Sequence, residues 1–319
     1  QAQHRLILSG TPIENSLDEL WSLFDFLMPG FLGDYDRFGE KYIRSNSEEH
    51  ADNLKYLKKK VAPFIMRRMK ADVLKDLPAV SENIYHCQLT PKQKELYKSY
   101  ADSARDELTK LVERDGFDKV QIHVLATLTR LKQICCHPAI FAKEASEVGD
   151  SAKFEMLVDL LETLIEGGHK TVIFSQYTKM LHIMREDFTK RGIRFNYLDG
   201  SSKDRLQIVK DFNEDPDIPV FLVSLKAGGT GLNLVGADTV IHYDMWWNPA
   251  VESQATDRVH RMGQKQSVSV YKLITHGTIE EKIVEMQNKK RGIVKKIVSC
   301  DDEAVTKLTW EDVLALLQT

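Results

Sequence analysis

The sequence of 319 residues has no glycine-rich loop of the type GxxxxGK[ST]. A chain that hydrolyses a nucleoside triphosphate unaided needs one, because its backbone amides cradle the phosphates and its lysine reaches them. The nearest stretch, EGGHKT at 166–171, lacks the first glycine at the right distance. It also precedes a β-branched run, where a phosphate loop follows one. No Asp-Glu pair stands at a strand end to hold magnesium: Asp18-Glu19, Asp106-Glu107 and Asp302-Glu303 fall in helical or tail contexts. The four cysteines, Cys87, Cys135, Cys136 and Cys300, form no CxxC pair. Vicinal cysteines rarely chelate one metal together, so CCHP at 135–138 reads as a helix end stopped by Pro138, and no metal site is expected. Such cysteine usage fits a reducing, intracellular compartment, cytoplasm or nucleoid in a prokaryote and the nucleus otherwise. The compact linker region favours the prokaryote. There is no apolar run of membrane-spanning length and no signal peptide, so no membrane partner is expected. The net charge of −3 excludes a global basic field. Any nucleic-acid binding must therefore rest on local patches.

What is present is an ordinary globular composition in a chain long enough for about two domains. The first residues, QAQHRLILSGTP, read as the middle of a domain, as if the chain were cut from something longer. Ser16 and Glu19 form a capping-box pattern before a helix with an apolar stripe from Leu17 to Met28. Residues 66–150 read as charged helices, with nothing alternating like a strand for long. From 151 to 298 the rhythm changes. Runs such as KTVIFS, RFNYLDG, VFLVS, DTVIHYD and SVSVYKLI alternate with helical segments, the fourth of them around 250–261. That order predicts an α/β fold with a parallel sheet covered on both faces and ligands at the carboxyl ends of its strands. A last helix, capped by Thr309 with Leu308 and Val313 as a hydrophobic staple, is expected within 299–319.

The loops that leave those strands carry the unusual residues. LKAGGTGLNL at 225–234 places three glycines in four positions, which lets backbone amides form an anion nest beside Ser224, Lys226 and Thr230. Taken alone such a loop is commonly just a tight turn. In MWWNPA, Trp247 either meets a nucleic-acid backbone or is buried, and burial is expected of Trp246. QATDRVHRMGQ at 254–264 sets Gln254, Arg258 and Arg261 at relative positions 0, +4 and +7, one stripe on a helix. Its guanidinium forks suit phosphate oxygens; the alternative is a solvated helix face. Arginines for phosphate without a phosphate cradle describe a finger supplied to another domain's nucleotide.

These motifs resemble those of the Swi/Snf-type DNA translocases of helicase superfamily two. QATDRVHRMGQ resembles the sixth motif, VFLVSLKAGGTGLNL the fifth, TVIHYDMWWNP the segment after it, TVIFSQYTKML and YLDGSS the fourth and its companion, and LILSGTPIENSLDELWSLFDFL the third. IMRRMKADVLKDLP, LTPKQKELY and LKQICCHP are similar to the segments between the two motor lobes. The resemblance implies a RecA-like second lobe over 151–298, preceded by the end of a first lobe (1–65) and a helical linker (66–150), with a terminal helix (299–319). It implies that Arg258 and Arg261 are arginine fingers and that Gln254, Gly231 and Asn233 lie at the nucleotide. It implies DNA contact by Ser175, Gln176, Ser224, Lys226, Gly228, Gly229, Thr230, Trp247 and Asn248, and coupling by Gly10, Thr11 and Pro12. The implied cofactors are ATP and magnesium, held mainly by a lobe whose motifs this sequence lacks. The implied partners are duplex DNA and a DNA-bound complex such as RNA polymerase or a nucleosome, engaged by a monomer. Basic clusters at 58–70 and 289–296 fit a DNA path or a solvated surface. An ATP-independent DNA-binding or regulatory module and a strand-separating helicase are the competing readings.

Overall fold

The computed structural model describes residues 2, 4–8, 17–43, 50–66, 70, 74, 76–141, 151–228, 231–296 and 309–318, with backbone alone at 51, 226, 228 and 288–296. The chain divides into two compact units, 1–75 with 289–307, and 76–288 with 308–319.

The first unit is helical. α1 (Leu17–Leu27), α2 (Tyr35–Phe38), a π turn (Gly39–Ile43) and α3 (His50–Val61) follow one another. Leu17, Leu20 and Phe24 on one face of α1 bury against Phe38, Tyr42, Leu57 and Val61. Asp34 caps α2 by accepting from the Arg37 amide.

The second unit is built on six parallel strands in the order β1-β6-β5-β2-β4-β3. They are β1 (Val80–Cys87), β2 (Thr171–Ser175), β3 (Phe195–Leu198), β4 (Val220–Ser224), β5 (Thr239–His242) and β6 (Val268–Thr275). Parallel strands need crossovers, and helices supply them. They are α7 (Ala152–Glu166), α8 (Thr178–Lys190), α9 (Arg205–Glu214), the single turn α10 (Leu225–Gly228) and α11 (Pro249–Thr256), and α12 (Ile279–Lys296) follows the last strand. Successive strand residues serve opposite faces. Val172, Phe174, Phe221 and Val223 pack with Phe212 of α9 and Ala255 of α11. Ile173, Leu222 and Ile241 pack with Leu157 and Leu161 of α7 and Met180, Met184 and Phe188 of α8. Each such side chain contributes roughly 1.5–3 kcal/mol on burial, which is why the central strands read as continuous apolar runs.

A third core joins α4 (Pro91–Asp115) and α5 (Phe117–Cys136) to the start of α12 and to α13 (Trp310–Leu317). Thr90 and Gln93 close a capping box on α4, and Thr309 and Asp312 close one on α13. Thr309 is the cap that the sequence predicts; Leu308 and Ser16 lie outside the described residues. α5 ends at Cys136 with both vicinal cysteines buried and free, and the short α6 (Pro138–Phe141) starts at Pro138.

The expectation of a wholly helical stretch over 66–150 is corrected by β1. VSENIYHC is a strand, paired to β6 from Val80↔Val268 to Cys87↔Thr275. It is an edge strand exposed on nearly every residue, so it lacks the alternation by which half-buried strands are read. The helices that follow it pack in the same unit as the sheet.

Candidate nucleotide and nucleic-acid site

The strand order reverses about β2. From β2 the chain crosses two places to β3, returns to β4, then passes to the other side for β5. Ligands of open parallel sheets bind beyond the carboxyl ends of strands at such a point. Ser175 and Gln176 leave β2 there, Ser224 leaves β4, and Asp244 to Asn248 follow β5.

These residues are tied to one another. Ser175 and Ser224 are register partners. The Ser175 hydroxyl donates to a carboxylate oxygen of Asp244. The other oxygen accepts from Gln176 Nε2 at 2.6 Å, and that amide also donates to the Met245 carbonyl at 3.3 Å. Asp244 and Ser175 are fully buried and Ser224 nearly so. Burial raises the pKa of Asp244, against the pull of Lys132 and the bonds from Ser175 and Gln176. Lys132, on α5, is 1% exposed and lies 5.6 Å over the ring of Trp247. Trp247 is half-buried in the third core and Trp246 is half-buried against the first. Asn248 spends its side chain as the cap of α11, accepting from the Ala250 amide at 2.9 Å. The backbone of Lys226 and Gly228 lies in α10, where Arg205 donates to the Ala227 carbonyl at 2.6 Å. Gly229, Thr230, Gly10, Thr11 and Pro12 lie outside the described residues.

The arginines are presented differently from the sequence expectation. α11 ends at Thr256, so Gln254 is helical and Arg258 and Arg261 are not. The cause is Gln264. Its buried amide donates to the carbonyls of Ala237 at 2.7 Å and Val259 at 3.2 Å. Its oxygen accepts from the amides of Lys265 and Gln266, both at 2.9 Å. Val259 is buried, and Gly263 turns the chain at φ 102°. The arginines therefore stand on a clamped turn. That turn is joined to the outgoing end of the glycine-rich loop: the Leu234 amide donates to the Arg258 carbonyl at 2.9 Å, and Arg261 Nη1 donates to the Leu232 carbonyl at 3.0 Å. Gly231, at φ 60°, and Asn233 are exposed on that loop. Asn213 of α9 holds it, donating to the Asn233 carbonyl at 2.8 Å and accepting from the Gly236 amide at 3.0 Å. The structure thus brings Arg258, Arg261, Gly231 and Asn233 into one bonded piece. Ser175, Gln176 and Ser224 form another at the strand ends.

A charged network sets α11. Glu252, 2% exposed, accepts from the Trp246 amide at 2.9 Å and faces Lys272 at 3.4 Å, which also pairs with Glu82 at 3.3 Å. With His242, Thr256, Asp257 and His260 these groups line a cavity of about 190 Å³. Burial and Lys272 push the His242 pKa down to about 3. Its imidazole is therefore neutral at neutral pH, with Nε2 3.0 Å from the Thr256 hydroxyl. Farther along the sheet edge, Lys153 pairs with Glu280, both fully buried, with Oε1 at 2.6 Å.

Asp244, Lys132 and Glu252 organise the site although the sequence motifs do not point to them. Asp244 leaves a signal, an acid directly after a buried strand. Lys132 leaves another, a lysine on the apolar face of LKQICC.

Residues 1–140 match the family described as SNF2-related domain and residues 152–263 match the helicase conserved C-terminal domain. The TATA-binding protein-associated factor MOT1 of Saccharomyces cerevisiae is 36% identical over 99% of this chain and 20% of its own length. The chain spans about a fifth to a third of the length of such curated relatives, from 19% to 34%. The Sulfolobus solfataricus SWI2/SNF2 ATPase core in complex with dsDNA is 35% identical, with a TM-score of 0.61 over 97% of this chain and 65% of that one. The C-terminal domain of the SWI2/SNF2 ATPase from that organism is 33% identical, with a TM-score of 0.57 over 74% of this chain and 97% of that one. With an all-parallel sheet of the same RecA-like kind and the family's motifs in order, the chain belongs to the SWI2/SNF2 family of helicase-like ATPases, in its carboxyl-terminal portion.

Proposed function

We propose that this chain is the carboxyl-terminal motor part of an ATP-dependent duplex-DNA translocase, and that Arg258 and Arg261 complete an ATP site whose P-loop lies on another lobe. The observation that carries the reading is the bond from Arg261 to the Leu232 carbonyl. It makes the arginine turn and the glycine-rich loop one mechanical unit. A shift of the DNA-facing loop then moves the arginines, and correct placement is what a finger requires. Forked guanidinium donors fit phosphoryl oxygens, and magnesium would be held by the P-loop lobe. Gln254, Gly231 and Asn233 border the nucleotide in this reading. Lys226, Trp247 and the amides of Gly228 to Thr230 meet the DNA backbone. Ser175, Gln176 and Asn248 support that contact surface by positioning, since their side chains are engaged by Asp244 and by α11. Gly10, Thr11 and Pro12 relay nucleotide state. The partners are duplex DNA and a DNA-bound complex such as a nucleosome or RNA polymerase, moved by a monomer.

The test is ATP hydrolysis by the chain joined to a P-loop lobe, with and without duplex DNA. DNA is expected to stimulate the wild type, and Arg261→Ala is expected to lose about 10³–10⁵ in turnover while still binding DNA. The 319-residue chain alone is expected to hydrolyse no ATP. Normal turnover by Arg261→Ala sinks the finger assignment. Robust hydrolysis by the chain alone sinks the division of labour. Salt-sensitive duplex binding with no ATP response in the joined protein would favour an ATP-independent DNA-binding module instead.

A further inference from the structure

Away from that site, the carboxyl ends of β1 and β6 bring together three side chains that nothing above employs. His86 is the register partner of Ile274, so His276, two residues on, lies diagonally across from it on the same side of the parallel pair. The His276 amide donates to the Cys87 carbonyl at 2.8 Å, which extends the pairing past the strand end and sets the backbones of the two histidines beside each other. Their ring centroids are 6.3 Å apart at 81°. Glu281, in the first turn of α12, reaches back to His276. One carboxylate oxygen accepts from the Gly277 amide at 2.9 Å and the other lies 2.9 Å from His276 Nδ1. One ring nitrogen of each histidine and a carboxylate oxygen of Glu281 lie within 4.8 Å of one another. Both histidines are exposed and Glu281 is half-buried.

We propose that His86, His276 and Glu281 form a binding site for a divalent transition-metal ion of the zinc class, with its remaining coordination positions open to solvent. Two imidazoles and one carboxylate select a borderline ion over magnesium or calcium, which take oxygen ligands. Metal–ligand bonds of about 2.0–2.2 Å place tetrahedral ligand atoms roughly 3.4 Å apart. The 2.9 Å between His276 and Glu281 must therefore open by about half an ångström, as the metal displaces the proton they share. The wider gap to His86 closes by a side-chain rotation, for which its exposure leaves room. The second carboxylate oxygen, held by the Gly277 amide, anchors Glu281 as outer bonds anchor metal ligands elsewhere. Cys87 is no ligand: its side chain leaves the opposite side of β1, and burial pushes its thiol up to about 11. An ion here would fasten the exposed edge strand to β6 and α12. Nothing in the sequence announces it, because His86 stands far from the other two residues in the chain.

The test is titration of the metal-free 319-residue chain with Zn²⁺ by calorimetry and with Co²⁺ by visible absorption, beside His86→Ala and His276→Ala. Both substitutions fall on exposed side chains, and circular dichroism checks that each variant folds. One ion per chain is expected, with a Co²⁺ spectrum of nitrogen and oxygen ligation. Loss of a supporting outer bond costs roughly 10- to 100-fold in affinity, so loss of a ligand is expected to cost at least about 100-fold. Absence of binding by the wild type, or equal affinity in the wild type and both folded variants, overturns the proposal. Either result leaves the motor reading standing, since neither residue takes part in it.

Discussion

The hydroxyl of Ser175 donates to the buried carboxylate of Asp244, and that bond joins the end of β2 to the end of β5 at the point where the strand order reverses. Gln176 takes the other carboxylate oxygen, and Lys132 faces the same acid. Asp244→Ala leaves buried donors without an acceptor. It is expected to lower stability by roughly 2–3 kcal/mol, read as a lower urea midpoint at unchanged slope. A midpoint equal to the wild type would show that the carboxylate does not hold the two strand ends together.

Lys153 and Glu280 form an ion pair with no exposed surface, and Glu280 also accepts from the Thr275 amide at 3.0 Å. Burial disfavours the Lys153 charge, yet Glu280 outweighs it and holds the pKa well above the ordinary value. Lys153→Met strands a buried carboxylate and is expected to cost about 3–5 kcal/mol. The double variant with Glu280→Gln is expected to recover part of that loss. A double-mutant cycle by chemical denaturation measures both, and strict additivity of the two changes would contradict the pairing.

Gly236 is fixed by space. A Cβ there would stand 2.7 Å from the Asn213 Cα and 2.8 Å from its Oδ1. Gly236→Ala must push the loop away from α9, at a cost of about 1–3 kcal/mol. The same loop carries the Leu232 carbonyl that Arg261 holds. In the joined motor this variant is expected to lose ATP turnover beyond what its stability explains, measured well below its melting temperature. Wild-type turnover would mean that the loop and the arginine turn are not coupled.

His242 gives a signed pH dependence. Its folded pKa, about 3, lies below the ordinary 6.5, so between those values the unfolded chain binds a proton that the folded chain refuses. The contribution is therefore complete above pH 6.5 and is lost as pH falls toward 3. Glu82, Glu252, Asp257, His260 and Lys272 line the same cavity, so the histidine must be separated from them. Comparison with His242→Gln, which cannot titrate, isolates the histidine. The variant is expected to show a shallower loss of denaturation free energy across that window, and parallel curves would refute the assignment.

Much of this was legible in the sequence, for a physical reason. Strands buried on both faces, such as VFLVS, must be apolar throughout, and crossover helices must carry one apolar stripe, so the parallel sheet can be read from its period. β1 escapes that logic because it is exposed, and only its pairing with β6 makes it a strand. The spacing of Gln254, Arg258 and Arg261 suggests a helix to 261. The side chain of Gln264 decides otherwise, by bonding to carbonyls of another loop. Asp244 and Lys132 show the same limit: buried charges are placed by partners distant in the chain, and spacing carries no record of them.

The edge strand also sets a timetable. Ser81 and Ser269 are register partners 188 residues apart. At about 5–20 residues per second of synthesis, β1 leaves the ribosome some 10–40 s before β6 exists. Through that interval an extended segment with Val80, Ile84 and Tyr85 exposed has no neighbour to accept its amides. The sheet can therefore close only when β6 arrives, and the strand made first is the last to find its partner.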